Sequence, residues 1–213
     1  MGSDLALEIL GCQLRIPVSR LPSLWPADRR EEYLLRPAID RPLSADSTVW
    51  PAVKSDPVLE RLFEDYTGGQ FEAPNGLNLY RLRPDFRPVL DALRGNQGHL
   101  VALSVKRDAA LALIKRHAII AAGDHHERAC GTAVSHGLGY DICDETLLSV
   151  LMNCGVAASE RARLRATFAN DLNAHGLFDT AAQAEAFSAR MGQVVPEHAP
   201  LIVVHLRVIG RWP

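Results

Sequence analysis

Lysine is almost missing from this chain of 213 residues. Only Lys54, Lys106 and Lys115 stand against 20 arginines. We read that bias as the imprint of a GC-rich coding sequence. An excess of charge of either sign is also missing, with 23 basic and 25 acidic side chains and a net charge of −2. Residues 1–95 carry 12 basic and 14 acidic side chains, and residues 96–213 carry 11 of each. Neither half is a basic module, so binding driven by backbone phosphates lacks its footprint and nucleic acid is not an expected partner.

Long apolar runs are lacking too. Runs such as Ala118–Ala122 and Leu201–Val204, and the six-residue Ala109–Ile114, fall far short of the roughly 20 residues that cross a bilayer. The first twenty residues are interrupted by Asp4, Glu8 and Arg15, which does not fit a secretory leader. The expectation is a cytoplasmic protein, off the membrane, whose Cys12, Cys130, Cys143 and Cys154 stay reduced. No C-x-x-C pair, phosphate-binding glycine loop, nucleophile elbow or pair of catalytic carboxylates is present.

Proline is absent from Val89 to Val195, although ten of the 13 prolines lie between Pro17 and Pro88. The chain therefore divides into a proline-punctuated part, residues 1–95, and a helical part with a closing strand, residues 99–213. Gly95-Asn96-Gln97-Gly98 marks the boundary. In the first part, residues 5–18 and 77–83 read as strands, with short helices at Ala27–Leu35, Pro57–Tyr66 and Phe86–Arg94. In the second, His99–Val105 reads as a strand. Asp108–Ala122 reads as a helix with Leu111, Ile114, Ala118 and Ala122 on one stripe, and residues 124–136 as a second helix continuing after a break at Gly123. Gly137-Leu138-Gly139 reads as a turn, and helices are expected over Asp144–Asn153 and Ser159–Ala174. Thr180-Ala181-Ala182-Gln183 matches a capping box and opens a further helix to about Met191. Leu201–Ile209 is β-rich, alternates from Val204 onward, and needs an earlier strand to pair with. The fold class is α+β: short strands in a Pro-rich N-terminal part, a helical middle, and a C-terminal strand pairing back into a small mixed sheet.

Asp144–Met191 has a superficial helix-turn-helix outline. Its six acidic residues against four arginines oppose a DNA role. Two places concentrate chemistry. Tyr80, Arg81, Arg83 and Arg87 lie on or beside the 77–83 strand, between prolines. An edge strand there would accept an extended peptide, with the arginines selecting acidic side chains. The second is His126-Glu127-Arg128-Ala129-Cys130, followed by His136. On a helix, His126 and Cys130 share a face, and imidazole with thiolate suits zinc or iron. A thiolate at Cys130 would also be supported by a nearby imidazole.

Two function classes follow. The first is a non-catalytic partner or adaptor subunit binding another protein or an acidic peptide, in one version presenting that peptide to a modifying enzyme. The second is a small metal-binding or thiol-dependent enzyme built on His126, Cys130 and His136.

Overall fold

A computed structural model describes residues 7–16, 34–35, 50–51, 61, 70–71, 79–80, 99–117, 134–147, 149–151, 155–173 and 175–209. The fold is α+β. Its strands are β1 (Leu7–Ile16), β2 (Trp50–Pro51), β3 (Gln70–Phe71), β4 (Leu79–Tyr80), β5 (His99–Lys106), β6 (Val134–Cys143) and β7 (Ile202–Ile209). Its helices are α1 (Arg107–His117), α2 (Ala158–Phe168) and α3 (Ala181–Val194). The strand order is β3-β4-β1-β5-β7-β6, with β2 also pairing β1. Every pairing with a described register is antiparallel. No helix among the described residues is long and apolar enough to cross a membrane.

The chain forms two compact units. One comprises residues up to Ile16, Pro51–Gly137 and His205 onward; the other comprises Pro17–Trp50 and Leu138–Val204. In the first unit β5 is the middle strand. It runs against β1 from Leu7↔Lys106 to Arg15↔His99, and against β7 from Val101↔Val208 to Ser104↔His205. Val101, Ala102, Leu103, Ser104 and Val105 are all 0% exposed. Both faces of the strand are thus covered, which is why its apolar residues run on instead of alternating. β7 is covered on one face only and alternates accordingly: Val204, Leu206 and Val208 are buried, whereas Val203, His205 and Arg207 are half-buried. Of the three candidates for pairing with the terminal strand, the 99–105 segment takes that place.

The register of β1 shifts between Ile9 and Gly11. This β-bulge places Leu10 and Gly11 opposite Leu103, and Leu10 is buried. Gly11 adds no side chain to crowd that position.

Three expectations for the second part are corrected. Residues 134–143 form a strand, not a helix followed by a turn. The two glycines mark close approaches instead of a reversal. A Cβ on Gly139, at φ +133°, would lie 2.7 Å from the Phe178 carbonyl oxygen. That oxygen accepts the Tyr140 N–H at 2.8 Å. The described part of Asp144–Asn153 is not a helix either. Asp144 Oδ1 accepts from the Thr146 N–H and hydroxyl, Leu147 adopts φ +59°, and Ser149 bridges back to Cys143. A short polar side chain here offers the backbone a turn in place of a helix. Without that helix the helix-turn-helix outline lapses. The helix expected over Ser159–Ala174 is α2, which ends early, at Phe168, and a single tight turn, Ala169–Asp171, follows.

In the second unit the core is aromatic. Phe187 of α3 lies 5.3 Å from Phe168, edge to face, and 5.4 Å from Phe178, between ring centroids. Leu164, Ala184 and Met191 are buried as well. The capping box is present, with Thr180 Oγ1 accepting from the Gln183 N–H and the Gln183 side chain accepting from the Thr180 N–H. Arg190 of α3 pairs with Glu160 of α2. The Arg165 guanidinium donates to the Leu34 carbonyl at 2.9 Å, and Leu34 donates to the Leu151 carbonyl. The expected helices Ala27–Leu35, Pro57–Tyr66 and Phe86–Arg94 lie outside the described residues, apart from Leu34 and Leu35 in a bend and Arg61 in a helical conformation.

Truncating a buried aromatic costs about 3–5 kcal/mol, and removing a helix cap about 1 kcal/mol. Phe187→Ala is therefore expected to lower the urea midpoint several-fold more than Thr180→Ala. Equal shifts would show that the aromatic group is not the core of its unit.

Candidate functional site

Two features of the first unit carry chemistry that packing alone does not require. The first arises on β5 and β7. Directly opposed residues of an antiparallel pair share a face. Ser104 opposes His205, and Ala102 opposes Arg207. On β1, Cys12 opposes Ala102 on its other side. Cys12 and Ser104 are completely buried, and the polar groups emerge toward β7.

The small Ala102 side chain leaves Arg207 free to turn diagonally, where its Nη2 donates to Ser104 Oγ at 3.0 Å. The Arg207 Nε is buried and has no hydrogen-bond partner. No carboxylate among the described residues pairs with this guanidinium. His205 sits two residues before it on the same face. Burial, and then the Arg207 charge, push its imidazole down to about 4. Gly137 makes room for the ring: a Cβ there would lie 3.0 Å from His205 Nε2. The result is one cation, one buried hydroxyl and one neutral imidazole on one half-buried face. Such a set can hold a single negative charge and offer hydrogen bonds to it.

The second feature is the outer face of α1. The helix follows β5 without a break. Asp108 stands in its first turn and Lys115, Arg116 and His117 in its last, an arrangement that suits the helix dipole. Ala110, Leu113 and His117 are buried. Leu111 is 55% exposed. Of the apolar stripe expected from sequence, Leu111, Ile114, Ala118 and Ala122, Leu111 thus faces outward, and Ala118 and Ala122 lie outside the described residues. The segment Ala109–Ile114 contains two overlapping apolar stripes, and the direct junction with β5 decides which one faces inward. Arg107, Leu111 and Lys115 then fall at i, i+4 and i+8 on the exposed side.

The residues expected from sequence to act fall elsewhere. Tyr80 is in β4, paired with Cys12 of β1 on one side and Gln70 of β3 on the other. Both flanks of Tyr80 are thus paired with strands of this chain. Arg81, Arg83 and Arg87 lie outside the described residues, as do His126 and Cys130. His136 lies in β6, and its side chain is outside them. Among the described residues no three His, Cys, Asp or Glu side chains gather to hold a metal ion. The Ser104–His205–Arg207 set was missed because its members come from strands at distant points of the sequence. The only local signal was polar residues at alternate positions of a β-rich run.

No family model, curated protein or solved structure matches the chain.

The titration of His205 has a definite sign. Its ordinary value is 6.5, and the folded value is about 4. Between these the folded state binds fewer protons than the unfolded one. The contribution to stability is therefore complete above the ordinary value and is lost as pH falls toward the folded one. Urea unfolding of the wild type is expected to show an acid-dependent loss across that window which His205→Gln lacks. Parallel pH profiles for the two proteins would contradict this placement of the ring.

Proposed function

We propose that the protein is a non-catalytic partner subunit that binds an acidic segment of another protein. The observation that carries this reading is the exposed face of α1. A helix joined to the central strand turns Leu111 outward, between Arg107 and Lys115. With Asp108 and Arg116 included, the exposed charges of the helix sum to a net positive value. An amphipathic partner segment with acidic residues around an apolar anchor fits such a face. Cationic side chains at its rim speed encounter and fix register more than they add affinity.

A local departure from the expected burial pattern is a pointer of the right kind, since such departures concentrate at functional positions. Leu7, at the start of β1, is another large apolar residue left substantially exposed, at 41%, and it belongs to the same unit. Arg81, Arg83 and Arg87 are retained in this reading as additional basic contacts for an acidic peptide. Presentation of that peptide to a modifying enzyme is the version in which the subunit serves as an accessory.

The test uses two baits, the wild type and Leu111→Asp/Lys115→Glu, each first shown to have the same melting temperature. Affinity capture from the source cells, followed by size-exclusion chromatography of the recovered mixture, reads the outcome. A stoichiometric partner that co-elutes with the wild type and is lost with the variant is the expected result. An identical set of proteins on both baits, or a wild type that elutes alone, contradicts the proposal.

A further inference from the structure

We propose that the β5–β7 face forms a carboxylate-binding subsite, with Arg207 as the cation and Ser104 as the residue that positions it. The inference is independent of α1 and stands whether or not that helix engages a partner.

Arg207 is half-buried, so its charge is partly removed from water, and burying a charge without a counter-charge is costly. In a structure that uses the guanidinium only as a strut, a nearby carboxylate would ordinarily compensate it. No described carboxylate does so. One edge is instead occupied by a neutral hydroxyl, Ser104 Oγ, and Nε is buried without an acceptor. Unsatisfied buried donors are uncommon enough that each calls for a reason. A guanidinium anchored at one nitrogen by a fully buried serine is held in a fixed orientation, which lowers the entropy lost when a ligand docks on it.

The charge count selects the ligand class. The planar fork of arginine matches the two oxygens of a carboxylate. A doubly charged phosphate would call for a second cation on the face. Two other titratable cations share the face: His205, which burial keeps neutral near pH 7, and Lys106, two residues beyond Ser104 on β5, which already has a partner of its own. One positive charge with neutral hydrogen-bonding neighbours fits one carboxylate. Its source is either a free organic acid or an acidic side chain of a bound peptide.

NMR titration of the full chain separates these sources. The probes are propionate, a glutamate-rich decapeptide, and inorganic phosphate for comparison. The readout is the His205 ring resonances together with the Arg207 side-chain N–H signals. Saturable shifts with propionate support the subsite and a free acid. Shifts with the peptide alone support the subsite and a protein source. In Arg207→Gln the affinity is expected to fall about tenfold or more. Arg207→Lys keeps the charge without the fork and should bind more weakly than wild type. It also serves as the test should the glutamine variant fail to fold. Ser104→Ala should weaken binding while leaving the arginine charge in place. No saturable shift with propionate or the peptide, equal binding by the arginine variants and the wild type, or tighter binding of phosphate than of both carboxylate probes would overturn the proposal.

Discussion

The first unit depends on β5 having antiparallel neighbours on both sides at once. Five consecutive residues of that strand, Val101–Val105, are completely buried. A strand buried on both faces has no solvated side on which to place a polar residue, so each polar group it holds must find a partner inside. Ser104 is that exception, and the Arg207 guanidinium meets its hydroxyl. The need to pair β5 therefore fixes the position of β7, and the register of β7 brings His205 and Arg207 onto the Ser104 face. The bulge in β1 belongs to the same constraint. It re-phases the strand so that Leu10 is buried while Cys12 lies opposite Ala102.

Much of this skeleton was legible in the residues. The β-rich terminal run demanded a partner, and His99–Val105 was among three candidates for it. The capping box at Thr180 needed only local hydrogen bonding, and it is present as the spacing implies. The failures share a physical cause, which is tertiary contact overriding local pattern. Gly137 and Gly139 read as turn residues because glycine permits turns. In the fold they allow a histidine ring and the Phe178 carbonyl to approach a strand. The Asp144 segment has helical leucine spacing, but its aspartate caps a turn and Ser149 donates to the buried Asp141 carboxylate. Leu111 lay on the more apolar of two stripes, and the junction with β5 turned that stripe outward.

The candidate site was the least legible part. Cross-strand groups such as Ser104–Arg207 depend on register, and register between distant segments leaves no spacing signature. The sequence drew attention instead to the local clusters Tyr80–Arg87 and His126–His136, where neighbours in the chain are visible as neighbours. Function follows the same division. The exposed stripe of α1 and the half-buried face of β7 are both consequences of how β5 is covered. Both present positive charge, and that is the ground for the acidic partner and the carboxylate ligand proposed for a chain whose net charge is slightly negative.

The central claim is that β1, β5 and β7 form one cooperative unit, with the polar face held in place by that pairing. Native-state hydrogen exchange tests it most directly. Amides within a cooperative unit exchange with a common opening free energy. The protected amides of Ile9–Cys12, Val101–Val105 and Leu206–Val208 are expected to share one slowest rate and to merge under mild denaturant. Exchange of β7 far ahead of β5, with β5 still protected, would contradict it.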